Sequence, residues 1–150
     1  MSLISISKIY SQEFKSLEGL ESINTIVDFR KDNPQEVATY LNLIHQTYMG
    51  VKMNINENID FVIVFTGPVV KLLCTNKDGF PSEEHETIDK IAEHITAMTK
   101  DGMKMEICLY ATNAFGIESD SILPELEQIL NGWLSVIGYQ AKHYSLLPIY

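Results

Sequence analysis

Cysteine is scarce in this chain: Cys74 and Cys108 are the two in 150 residues. That is too few for a disulfide framework and fits a reducing cytoplasm. Positive charge is scarce as well. Eleven Lys and Arg against 20 Asp and Glu leave a formal net charge of -9, which argues against nucleic-acid or anionic-membrane partners. No apolar run approaches the ~20 residues of a membrane span. Met1 to Tyr10 shows no secretion signal, so a cytoplasmic location is expected. His85 and His94 stand nine apart and share no helix face with carboxylates at ligand spacing, so no metal is indicated. There is no Walker loop and no G-x-G-x-x-G. After the first apolar strand comes Arg30-Lys31-Asp32-Asn33-Pro34, without the Ser/Thr/Gly-rich cradle a flavin phosphate needs, so no cofactor is expected.

What is present is ordinary in amount and patterned in order. An apolar fraction of 45% with 21% charged residues is that of a soluble globular domain. Residues 1–22 lack a sustained period and read as an N-terminal extension, with one α/β domain over 23–150. Ile23 to Phe29 reads as a strand from its β-branched and aromatic content. Asn33 as cap, Pro34 and Glu36 then mark a helix start, with Val37, Leu41, Ile44 and Tyr48 on its buried face and Gly50 as its stop. Ile59 to Phe65 is a near-continuous apolar run, the mark of a strand covered on both faces. Thr66-Gly67-Pro68 ends it, and Val69 to Cys74 reads as a short helix.

Ser82 is expected to cap a helix carrying Ile88, Ile91, Ala92, Ile95 and Met98 inward, closed by Gly102. Met103 to Leu109 is the next strand and Leu126 to Leu130 another. A helix opening at Asn131 or Gly132 has Trp133, Leu134, Val136 and Ile137 on its apolar side, and Tyr144 to Tyr150 ends the chain as a strand. Strands alternating with crossover helices imply a parallel sheet.

Cys108 falls where a buried strand runs out into the small-residue loop Ala111-Thr112-Asn113-Ala114. Ligands and reactive groups collect beyond the carboxyl ends of such strands, and a thiol there meets backbone N–H groups that favour thiolate. The competing reading is a packed cysteine, since free Cys is often buried. For Cys74 the packed reading is preferred. His45 and His94 are expected at the surface or its boundary, and Trp133 in the core or at a subunit contact. Tyr139, Tyr144 and Tyr150 are candidates for such a contact.

Three stretches, in order, resemble elements of the DsrE/DsrF-like family: Val62 to Leu73 around Thr66-Gly67-Pro68, Gly102 to Ile117 around Cys108, and Tyr139 to Pro148. The resemblance covers roughly residues 23–150. It implies a flavodoxin-like three-layer α/β/α sandwich with a mostly parallel sheet, assembled as a homo-oligomer (trimer or hexamer) or with sister subunits. In sulfur-relay members, of the DsrEFH and Tus type, the matching cysteine carries sulfane sulfur as a persulfide. Carried over, Cys108 would be the catalytic thiol, with Thr66, Gly67 and Asn113 as candidate binding residues around it. A sulfur donor or acceptor protein would be the partner. The alternative is a non-catalytic oligomeric module binding a small ligand or a protein. Two departures stand out: His143 occupies a position usually held by glycine, and the loop after Cys108 lacks the basic residue often found before its glycine.

Overall fold

The computed structural model describes residues 14–55 and 58–150. Five strands form one sheet: β1 (Ile23–Phe29), β2 (Ile59–Phe65), β3 (Lys104–Cys108), β4 (Glu127–Ile129) and β5 (Ser145–Ile149). Their spatial order is β4-β3-β2-β1-β5, with every pair parallel. The helices between them are α1 (Pro34–Asn54), α2 (His85–Lys100), α3 (Leu109–Ala114) and α4 (Gly132–Ala141).

The topology dictates which face each helix covers. From β1 to β4 the chain steps across the sheet in one direction, so right-handed crossovers put their helices on one side. The step from β4 to β5 runs back to the far edge, and the same handedness puts α4 on the other side. The packing follows this division. Phe29, Phe61, Ile63, Phe65, Met105 and Ile107 point to the first face, against Val37, Leu41, Ile44 and Tyr48 of α1 and Ile88, Ile91, Ile95 and Met98 of α2. On the second face the core is only Ile26, Val62 and Val64, with Ile129, Val136, Tyr139 and Tyr144 packed over it. The architecture is therefore α/β/α as expected, but among the described residues one layer is a single ten-residue helix.

Local chemistry explains most element ends. The Asn33 side chain accepts the Glu36 N–H at 3.1 Å and Pro34 opens α1. Glu36 makes no return bond as a capping-box acid does, but pairs with Lys31. The helix does not stop at Gly50. It runs on to Asn54, because no left-handed turn follows that glycine and Asn54 Nδ2 donates back to the Gly50 carbonyl at 2.8 Å. After β2 the chain makes a 3-10 segment, Gly67–Leu72, that ends before Cys74; Cys74 instead forms an isolated antiparallel bridge with Ile122. Ser82 caps nothing. It begins a 3-10 turn, Ser82–Glu84, and α2 starts at His85 without a side-chain cap. His143 adopts φ 66 after α4, the left-handed conformation glycine takes most easily.

Of residues 1–22, the described part contains a 3-10 turn at Lys15–Leu17. Phe14 and Leu17 line a cleft of about 590 Å³ with Leu43, Thr47 and Val51 of α1; residues 1–13 lie outside the described residues. Among the described residues no helix is long and apolar enough to cross a membrane.

Candidate functional site

Alternation along the strands decides what the second face carries. Glu127, Glu106, Val64, Asp28 and Pro148 are successive register partners across all five strands, so they share one face. One row further toward the carboxyl ends, Ile129 is the partner of Cys108. Cys108 is thus the last residue of β3, on the face covered by α4, and it precedes the first turn of α3.

The thiol is 6% exposed, and its Sγ lies 4.0 Å from the carbonyl oxygen of Leu130. That carbonyl also accepts the Tyr110 N–H at 3.2 Å, tying the start of α3 to the connection between β4 and α4. Gly132, the first residue of α4, sits directly over the site. A Cβ there would lie 3.2 Å from Cys108 Cβ, 3.1 Å from Val64 Cγ1 and 2.4 Å from Thr66 Cγ2. The close approach of helix to sheet depends on this glycine having no side chain. It also brings the Thr66 methyl and the Cys108 Cβ against one spot. Thr66 is buried, and Gly67, at φ 71, turns the chain away from β2. Asn113 is exposed on α3.

Cys74 and Cys108 are both free thiols. Cys74 is buried, with Sγ 3.4 Å from the Val70 carbonyl, and burial pushes its thiol pKa upward. It borders a cleft of about 470 Å³ shared with Lys71, Phe80 and Phe115.

Three tyrosines of the carboxyl-terminal stretch reach the carboxylates of the second face. Tyr150 donates to Asp28 at 3.1 Å, Tyr144 to Asp60 at 2.5 Å and Tyr139 to Glu106 at 2.8 Å. The rings of Tyr139 and Tyr144 pack together, centroids 4.9 Å apart. Their sequence reading as subunit-contact residues becomes, within one chain, a set of inward hydrogen bonds; Tyr150 alone among them stays well exposed. The hydrogen bond to Asp60, with burial second, pushes the Tyr144 pKa up to about 12, and burial followed by the Glu106 bond raises that of Tyr139 too.

A raised phenol pKa means that the folded state favours the neutral donor. The resulting stability is full below the unfolded phenol value near 10 and is lost as pH rises from there through about 12. Urea unfolding at several pH values between 9 and 12 should show this alkaline fall. Tyr144→Phe should be less stable at pH 9 and lose less on going to pH 12; an equal pH slope in both proteins would remove Tyr144 as a cause.

Sequence reading placed Gly132 at the helix start but overlooked its approach to Cys108, and it overlooked Glu106 and the tyrosine bonds. A signal for Glu106 was available: a carboxylate between Met105 and Ile107 in a buried strand has to face something polar. His45, placed at the boundary as expected, lies 2.6 Å from Asp101, and His94 is half-buried, its pKa lowered chiefly by burial.

A five-stranded parallel sheet with a cysteine at the end of its third strand defines an α/β domain with a thiol at the carboxyl edge. The DsrE/DsrF-like family model matches residues 28–149, and the chain belongs to that family. Solved structures share the fold at low identity. A protein of unknown function from Methanobacterium thermoautotrophicum, MTH1491, superposes with a TM-score of 0.67 at 12% identity, covering 85% of this chain and 99% of that one. The ychN protein of E. coli gives 0.55 at 13% over 85% and 99%. BT1422 of Bacteroides thetaiotaomicron, also of unknown function, gives 0.56 at 15% over 83% and 94%. No curated protein matches the chain.

Proposed function

We propose that this protein is an oligomeric sulfur carrier in which Cys108 holds sulfane sulfur as a persulfide. The observation that carries the reading is the position of Cys108: the last residue of β3, at the carboxyl edge of a DsrE-like sheet, beneath the first turn of α4. The Cys108 thiolate attacks the outer sulfur of a donor persulfide, R–S–SH. The donor S–S bond breaks, R–S⁻ leaves with its electron pair, and Cys108–S–SH remains. An acceptor thiolate then takes the outer sulfur and releases Cys108 as thiolate, so the exchange involves no net oxidation. The bond chemistry is that of thiol–disulfide exchange, and it needs access to the sulfur.

Access is governed by the Leu130–Gly132 connection that lies over the thiol. The face of α4 turned away from the sheet is apolar, with Trp133, Leu134 and Ile137, and Leu130 just ahead of the helix, each more than 60% exposed. This supports assembly through α4 with further copies of the chain, since parallel sheets are stable when both faces are covered and contiguous apolar patches mark interaction surfaces.

The test is intact-mass analysis after incubation with a low-molecular-weight persulfide. One added sulfur (resolved to Cys108 rather than Cys74 by peptide mapping) is expected, and Cys108→Ser should remove it while leaving the domain folded. Sulfur loading that persists in that variant rejects Cys108 as the carrier.

The 6% exposure of Cys108 favours a second reading, a DsrE-like module that binds a ligand or protein without covalent chemistry. Its signature is native Cys108 labelling that is slow and accelerates only on unfolding.

A further inference from the structure

Glu127 is exposed, and the three carboxylates of the second face that are not, Asp28, Asp60 and Glu106, follow a pattern with one exception. Asp28, 2% exposed, accepts from Tyr150 and from both Nε and a terminal nitrogen of Arg30, at 3.1 and 2.8 Å. Asp60 accepts from Tyr144 and is paired with Lys104 at 3.1 Å. Each has one tyrosine and one cation. Glu106 is 6% exposed and has its tyrosine, with Tyr139 on Oε2. Among the described residues, its Oε1 has no hydrogen-bond partner and no cation lies within salt-bridge distance of it.

Glu106 borders a cleft of about 230 Å³ lined also by Ser135, Gly138, Tyr139 and Lys142. Oε1 is itself covered, so a ligand in the cleft reaches it only as the side chains lining the cleft shift, and a Cβ on Gly138, on that lining, would meet no heavy atom within 4 Å. A water occupies about 30 Å³ of liquid, so the cleft has room for a group of several heavy atoms. Lys142, the cation at the rim, holds its Nζ 5.9 Å from the centre of the Tyr139 ring and makes no ion pair with Glu106. A buried carboxylate without a cation is costly, and its strongest complement is a charged N–H donor.

We propose that the cleft between α4 and β3 binds a compact N–H-donating cation, a primary ammonium or guanidinium group, through Glu106 Oε1. The ligand completes at Glu106 the arrangement that Arg30 and Lys104 complete at Asp28 and Asp60. The site is independent of sulfur chemistry at Cys108 and stands or falls without it.

The test is a titration of the full chain with methylguanidinium and methylammonium chloride, followed by NMR at constant ionic strength. Saturable shifts are expected at Ser135, Gly138 and Tyr139. Glu106→Gln should weaken binding at least tenfold, whereas Glu127→Gln, on the neighbouring strand, should leave it unchanged. Gly138→Met, which fills the cleft and leaves Glu106 intact, should also block it. Lys142→Met removes a like charge from the rim and should tighten binding several-fold. A blocked Gly-Arg-Gly peptide distinguishes the sources: tighter binding than methylguanidinium assigns a side chain from a partner, weaker binding a free small molecule. No saturable shift in the parent protein, or binding that survives either Glu106→Gln or Gly138→Met, overturns the proposal.

Discussion

Gly132→Ala is expected to destabilise the protein by about 2–3 kcal/mol, within the range for overpacking a filled interior. The new methyl carbon would sit 2.4 Å from Thr66 Cγ2, 3.1 Å from Val64 Cγ1 and 3.2 Å from Cys108 Cβ. None of these atoms is the far end of a flexible side chain. Thr66 and Val64 are β-branched, buried and stiff at χ1, and Cys108 Cβ is fixed by the strand backbone. Relief therefore requires α4 itself to move off the sheet. Alanine's better helix propensity, worth at most about 1 kcal/mol over glycine, does not offset this. At roughly 2–4 °C per kcal/mol for a domain of this size, the melting temperature should fall by about 4–12 °C. Native labelling of Cys108 should quicken in the same variant, because the element that shields the thiol is the one displaced. A melt equal to that of the parent protein would mean that α4 adjusts freely, and the shielding of Cys108 by Gly132 would then have to be abandoned.

The assembly proposed through α4 predicts that the double substitution Trp133→Glu and Ile137→Glu leaves only monomers at micromolar concentration where the parent protein is oligomeric, as read by sedimentation velocity. Both side chains are more than 60% exposed on the outer face of α4, so their replacement removes no packing within one chain and the fold should survive. In an interface the same positions would place carboxylates in a desolvated apolar contact, where an unpaired charge is strongly unfavourable. The chain's net charge of -9 adds repulsion between copies. An unchanged sedimentation coefficient with an unchanged far-UV spectrum would locate any assembly elsewhere. Combined with the persulfide assay, the variant also separates two roles of α4: sulfur loading that outlasts dissociation belongs to the single chain.

The sequence made β1 and β2 legible to the residue, because Ile23–Phe29 and Ile59–Phe65 are apolar runs bounded by polar or turn residues. It made the buried stripe of α1 legible for a similar reason: Val37, Leu41, Ile44 and Tyr48 recur at the helical period, and all four are buried. The same logic failed at α4. Trp133, Leu134, Val136 and Ile137 were read as one apolar side, but of these only Val136 packs on the sheet while the other three face out, and the helix meets the sheet through Gly132, Val136 and Tyr139. Periodicity reports which side chains share a face and is silent on which face meets the sheet, and in α4 a glycine and a tyrosine do the meeting.

The sequence by itself determined the parallel α/β class, the family, and the position of Cys108 at the end of a strand. These follow from local composition, from the order of elements, and from residues matched one by one. Only the tertiary structure decided that Cys108 is buried beneath Gly132, and that Asp28, Asp60 and Glu106 share a face with three tyrosines from the end of the chain. Among the described residues, it alone left Glu106 without a cation. Those relations join residues as many as 122 positions apart, and they come into being only when strand register and crossover direction bring one face of the sheet together.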